Sequence, residues 1–410
     1  MTRGILILSV CSTLYGSDAC LYRVETLING SLKTYPSIQS SRYSIQGADA
    51  QIDGAKWSYF PTPSVDISQA SGRRATTMRL DQPLWTGGKL DAAVDIAQSH
   101  KNEAVAALDE SGYALIENLL NVLQNYLQSE GSIEALKEGK EQLETLNRML
   151  ERRIDAGVSS LADRELLKSR LIQINSDLAV AISKRKTTQA QLELLIGSKL
   201  SCGVDTANTA LLDQSIPVDV MIDRMIATHP TLKKFSEQIK TAEAEKAKAK
   251  AVMWPNLSLR AEHQSGSVYY DQSTTNNLVY IAVTASTGAG LSAFSGIQSA
   301  EAKVLQVQSD KMTKELELTD ALMRDFNEYH SSMDKIEGMG KTIDASQNVL
   351  ESYTRLFVAG KRQWLDLVNS SRELTQNKLS LSDMKASYIA SMYRLALKNG
   401  NIKLESGEKK

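Results

Sequence analysis

Ala156-Gly157-Val158-Ser159-Ser160-Leu161-Ala162-Asp163 is answered 203 residues later by Ala359-Gly360-Lys361-Arg362-Gln363-Trp364-Leu365-Asp366. In each copy an Ala-Gly pair stops one periodic segment, and an acid a few residues on marks the start of the next. The stretch therefore reads as a tight turn between two helices, with Gly157 and Gly360 free to take the left-handed backbone that other residues resist. Upstream, Tyr35-Pro36-Ser37 returns as His229-Pro230-Thr231 and Phe60-Pro61 returns as Trp254-Pro255, both at a spacing of 194. Two collinear halves, offset by a nine-residue net insertion between Pro255 and Gly290, mean one structural unit used twice.

Working outward from the turns, Gly87 to Gly157 and Gly290 to Gly360 are each 70 residues without a proline, enough for helical rods of roughly 105 Å. Steps of four and three from Leu115 through Leu119, Val122 and Tyr126 to Ile154 give nine apolar residues of twelve, and the same steps from Leu318 through Leu322 and Tyr329 to Phe357 also give nine of twelve. Such a period implies supercoiling against neighbours. Return helices are expected from Asp163 to Ile196 and from Trp364 to Leu397. Ahead of the rods, Ser64 to Gln69 with Thr76 to Leu84, and Asn256 to His263 with Leu278 to Thr284, alternate apolar and polar residues as hairpins do. Leu21 to Leu32 reads as a short amphipathic helix, and Pro36 opens another that runs to about Trp57.

Composition agrees with long helices rather than several compact cores: the 410 residues hold only 7 Pro and 5 Phe. A formal net charge of -1 gives no nucleic-acid footprint, and past the N-terminus no apolar run is long enough for a transmembrane helix. Arg3, the apolar stretch Ile5 to Leu14 and the small residues Ser17 and Ala19 read as a secretory signal over residues 1–19, without a lipid-attachment context at Cys11 or Cys20. After its removal Cys20 and Cys202 remain. They can pair in an oxidising compartment or stay as buried thiols. The domain reading is a first repeat over 20–210, a second over 211–399 and a polar tail over 400–410. His100, His229, His263 and His330 lie far apart with no metal-ligand spacing, Gly288-Ala289-Gly290 lacks a phosphate-loop context, and no catalytic site, metal or cofactor is expected.

Four strands cannot close a barrel, and an open sheet leaves bare edges. Three copies would supply twelve strands. Here the chain resembles the TolC-like outer-membrane factor (outer membrane efflux protein) family, from about Leu21 to Asn399. The resemblance rests on Tyr35-Pro36-Ser37-Ile38, on Gln82-Pro83-Leu84-Trp85-Thr86-Gly87-Gly88 and on the two turn motifs in order. It implies a mainly α fold with a small β part: a homotrimer whose 12-stranded outer-membrane β-barrel continues into a long periplasmic α-helical coiled-coil barrel. It also implies a passive duct in contact with outer-membrane lipid, docking to a periplasmic adaptor (membrane fusion protein) and to an inner-membrane ABC exporter or proton-driven pump. The segment Ser286 to Ala293 departs from the family's aromatic-x-Gly-Gly, which looks like the branch that exports large adhesins by type I secretion. A multidrug efflux duct is the alternative.

By similarity, Asp366 and Asn369 would line the periplasmic constriction, and Asp163, Arg362 and Phe357 would hold the tip closed, with Arg362 and Asp163 as a latch. Asp163 and Asp366 can equally be helix caps or first-turn acids, and Arg362 a solvated tip residue. Trp57, Trp85 and Trp254 flank the strands and can sit at a membrane interface or pack at the top of the rods. A function of another class, a soluble coiled-coil scaffold, stays open on sequence alone.

Overall fold

The computed structural model describes residues 21–402 apart from 71, 207–211, 213–215, 268–274 and 286–291; the expected signal segment and Cys20 lie outside them. In chain order the elements are β1 (Leu21–Arg23), α1 (Val24–Thr34), α2 (Pro36–Trp57), β2 (Thr62–Ala70), β3 (Arg73–Trp85), α3 (Lys89–Asp155), α4 (Leu161–Ile196), β4 (Gly203–Asp205), α5 (Val218–Thr228), α6 (Pro230–Ala251), β5 (Asn256–Ser265), β6 (Asn276–Thr284), α7 (Ser292–Val358) and α8 (Trp364–Lys398). The duplication is exact in length where it matters most: α3 and α7 are both 67 residues. At 1.5 Å per residue each runs about 100 Å.

The chain start corrects the expectation. Leu21 to Arg23 is not helical but a short strand, paired parallel with β4, Leu21 opposite Gly203. Cys202, just before β4, is disulfide-bonded.

Both tips end in the same hydrogen-bonded turn. Gly157 (φ 74°) donates to the Ile154 carbonyl and Val158 to Arg153, while Gly360 (φ 73°) donates to Phe357 and Lys361 to Leu356. This pair of hydrogen bonds needs a left-handed residue, which is why glycine recurs there. A third glycine explains the strand-to-rod motif. Gly87 has φ 62°, and a Cβ on it would fall 2.4 Å from Trp254 Cβ, so only glycine lets β3 turn into α3 beside that indole.

The helices form one layer rather than a bundle. Near the strands the packing order is α2, α3, α6, α7; toward the tips it is α4, α3, α8, α7. The rod α3 is thus covered on both flanks, and α7 on one. The larger core gathers α1, the upper part of α3 (Leu115, Ile116, Leu119, Leu123) and the ends of α4 and α8, and a second gathers Leu143, Leu150, Leu167, Phe357, Trp364 and Leu367 near the tips.

Candidate functional site

The four long strands make one antiparallel sheet in the order β2-β3-β5-β6, longer at both hairpins than the sequence pattern marked. Among the described residues no helix packs on either face, and the two faces differ. Because opposed residues share a face, the register puts Ser64, Asp66, Thr77, Arg79, Asp81, Arg260, Glu262 and Tyr280 on one side, with Leu278 as an apolar residue among them. Val65, Ile67, Met78, Leu80, Leu259, Val279, Ile281 and Val283 stand on the other, all exposed. The polar face is knitted by Arg79 Nε to Glu262 at 2.5 Å and Arg260 to Asp81 at 2.6 Å. A contiguous apolar sheet face of this size does not stay in water; it has the alternation of a wall between hydrocarbon and an aqueous bore. At the helix end of the strands Trp57, Phe60, Trp85 and Trp254 are exposed, with Trp85 and Trp254 edge to face at 6.3 Å.

The helical layer is equally incomplete. Although α3 and α7 are repeats of one element, α3 buries 21 of its 67 residues and α7 only 7 of 67. What α7 leaves bare is ordered. Leu305, Met312, Leu316, Met323 and Met333 are all exposed and fall on one series of four- and three-residue steps, distinct from the seam through Leu318, Leu322 and Tyr329. Sequence reading missed this second seam, although the same counting from Leu305 would have exposed it. On the opposite edge of the layer α4 shows Ile172, Val180 and Leu194, and α2 shows Tyr43.

At the tips the candidate residues separate. Asp163 is held in its own capping box: Ser160 Oγ accepts from the Asp163 backbone N–H at 3.2 Å, and an Asp163 carboxylate oxygen accepts from the Ser160 N–H at 3.3 Å. Arg362 pairs with Asp366 one turn on, at 3.3 Å, and lies over the Tyr353 ring at 4.3 Å. Within the chain the structure does not bring Asp163 and Arg362 together, because each is satisfied by its own helix end. Phe357 is buried, with Trp364 at 5.3 Å and the Arg153 guanidinium 4.5 Å over its ring, and Arg153 also donates to the Phe357 carbonyl. That arginine links the two tips and was not foreseen. Asp366 and Asn369 share the outward face of α8, opposite the buried Leu367, Val368, Ser370 and Ser371. Among the described residues no group of His, Cys, Asp and Glu is gathered as a metal site would be.

Halfway along the rods, where α6 begins and α8 ends, a polar cluster is buried. Lys398 pairs with Asp325 at 2.5 Å, and the His229 ring lies tilted against that of Tyr113, 4.4 Å between centroids, while its Nδ1 accepts from the Thr231 N–H at 3.2 Å. Burial, with Lys398 and Lys314 nearby and Glu110 opposing them, pushes His229 down to about 4. Burial also raises the Glu117 carboxyl on the facing side of α3. His229 is thus neutral when folded, and the unfolded chain takes up a proton near pH 6.5 that the folded chain refuses. Its contribution is complete above pH 6.5 and is lost as pH falls toward 4, by at most about 3 kcal/mol per chain. Glu117 works in the opposite direction, so the check is a comparison: melting temperature between pH 7 and 4 should fall less in His229→Asn than in the wild type, whereas parallel curves would show that His229 does not contribute.

The family model described as outer membrane efflux protein matches residues 27–198 and 221–401. Among solved structures the chain is similar to CusC, described for the conformational changes that accompany folding and transmembrane channel formation, with 17% identity, 92% of each chain covered and a TM-score of 0.78. It is similar to the outer membrane protein VceC of Vibrio cholerae, with 14% identity, 91% of this chain and 96% of that one covered, and a TM-score of 0.74. The open state of the MtrE outer membrane channel of Neisseria gonorrhoeae follows, with 16% identity, 93% and 90% coverage and a TM-score of 0.70. At these identities the likeness is one of fold. No curated protein matches the sequence.

Proposed function

The chain belongs to the outer membrane efflux protein family, and from that premise we propose that three copies close into a passive export duct. The observation that carries the reading is the inequality of the duplicated rods: α7 lacks the cover on one flank that α2 and α4 give α3. A neighbouring copy's α2 and α4 supply that cover. The sheet asks for the same operation. With every neighbour antiparallel along β2-β3-β5-β6, the outer strands run oppositely, so β6 of one copy continues the ladder at β2 of the next. Two copies would make an eight-stranded barrel filled by side chains, while twelve strands leave a bore. The apolar sheet face then meets outer-membrane lipid, and the rods extend into the periplasm toward an adaptor and an inner-membrane transporter.

The test is assembly. Cysteines placed at Leu316 on α7 and at exposed α4 positions should cross-link into trimers in outer-membrane fractions, and a soluble monomeric product would overturn the reading. Export of a large adhesin by type I secretion is the cargo we favour. It rests on the departure at Ser286 to Ala293, of which 286–291 lie outside the described residues. Deletion should remove the adhesin from the cell surface and leave drug susceptibility unchanged, and the reverse outcome would assign the duct to drug efflux.

Asp366 and Asn369 on the exposed face of α8 are proposed to ring the periplasmic entrance, with Phe357 buried behind them in the closed tip. Arg362 is proposed to hold that closed state against Asp163 of an adjoining helix pair, the Arg362–Asp366 pair serving as its alternative within one chain. Arg362→Ala should raise the leak conductance of the assembled trimer severalfold in planar bilayers. Unchanged conductance in a correctly assembled trimer would show that Arg362 is only a solvated tip residue.

A further inference from the structure

Toward the tips α4 and α8 both pack on α3 but scarcely meet each other, and between them lies a cavity of about 380 Å³, within the range that holds small ligands. Gly139 of α3 lies against two of its lining residues, Thr375 and Ile174. A Cβ there would fall 2.5 Å from Thr375 Oγ1 and 3.1 Å from Ile174 Cδ1, so the missing side chain lets both return helices settle onto α3. The lining divides in two. Leu136, Leu143, Ile174 and Leu379 give an apolar bed. Arg170 of α4 and Arg372 of α8 face it from opposite walls, and neither has a carboxylate partner among the described residues. The one acid in the lining, Asp177, already accepts from the Gln173 amide at 2.8 Å.

The strongest sign that something belongs there is Ser371, which is 1% exposed and whose hydroxyl meets no partner among the described residues. Arg170 Nε is likewise shielded and unpaired. Polar groups withdrawn from water without a partner are costly, and a guanidinium more so. The half-buried Arg170 and the exposed Arg372, both without a carboxylate, together with a buried free hydroxyl beside an apolar bed, are complementary to one kind of molecule.

We propose that the α4–α8 cavity binds a small amphipathic anion. Its carboxylate, sulfate or phosphate head is held by Arg170 and Arg372 with a hydrogen bond from Ser371, and its apolar body lies on Leu136, Leu143 and Leu379. Guanidinium forks suit such oxygens in bidentate geometry. The occupant bridges two helices that both pack on α3 and scarcely meet each other, so binding ties the return helices of one chain together. The site does not depend on the transport reading.

The probe is radiolabelled decanoate, in equilibrium dialysis against the full chain in nanodiscs. Saturable uptake of one molecule per chain is expected, displaced by decyl phosphate but not by decanol or decyltrimethylammonium. Arg170→Gln and Arg372→Gln should each weaken it about tenfold, the scale of one hydrogen bond to a charged group. Ser371→Val, which projects methyls into the cavity, should abolish it in a protein that melts as the wild type does. Absence of saturable uptake, equal displacement by decanol, or unchanged affinity in the double Arg170→Gln/Arg372→Gln variant would each overturn the proposal, leaving an ordered water as the partner of Ser371.

Discussion

A Val279→Arg chain should leave almost no folded protein in the outer membrane, although Val279 is 73% exposed in the single chain and an exposed site normally tolerates substitution within about 0.5 kcal/mol. The contrast follows from the solvent. Val279 stands on the apolar face of β6, between Ile281 along its own strand and Ala261 on β5. In the proposed duct an arginine there would face hydrocarbon at a cost of about 2–4 kcal/mol near the bilayer midplane, and the trimer would repeat that cost in every copy. A change on the opposite face, Asp66→Asn, meets water in the bore and should leave the amount of protein nearly unchanged. Heat-modifiable migration of outer-membrane fractions reads both. Equal abundance of the two variants would mean that the apolar face does not meet lipid.

The second large effect is expected on α7. Met312 and Leu316 are 66% and 73% exposed, so a paired Met312→Glu/Leu316→Glu change removes nothing that the single chain buries. If these residues enter the seam between copies, each forfeits the roughly 1.5–3 kcal/mol of a buried apolar side chain, and a carboxylate must be withdrawn from water besides. Three seams carry the change, so the trimer should be lost from detergent extracts while the secondary structure of the chain persists. Leu316→Met, which keeps an apolar side chain of similar size, should assemble normally. A stable trimer from the double glutamate variant would refute the pairing of α7 with α2 and α4.

The periodic part of the molecule was legible because a rod declares itself over many turns. The rods, return helices and turns stand within about two residues of their expected limits, and α2 spans Pro36–Trp57 as read. Short elements set by distant partners were not legible. Leu21–Arg23 is a strand only because Gly203–Asp205 lies beside it, a pairing that local pattern cannot reveal. Local pattern does not mark the helix Val218–Thr228, yet the spacing of 194 carries Val24–Thr34 onto it residue for residue. Alternation located the strands, but their charges went unused: Arg79, Asp81, Arg260 and Glu262 all have the parity of one face and would have named the wet side. At the tip, an acid following a serine by three residues reads equally as a cap and as a latch. The choice depends on neighbours that sequence does not supply.

The two tip turns share one backbone and differ in charge: Val158, Ser159 and Ser160 follow the first glycine, whereas Lys361, Arg362 and Gln363 follow the second. In the proposed trimer they would form a crown of six teeth around the threefold axis, alternately neutral and cationic. A sixfold partner gripping that crown would find two kinds of seat, so its subunits would bind in two classes of unequal salt sensitivity, the tighter at low ionic strength being those that present carboxylates to Lys361.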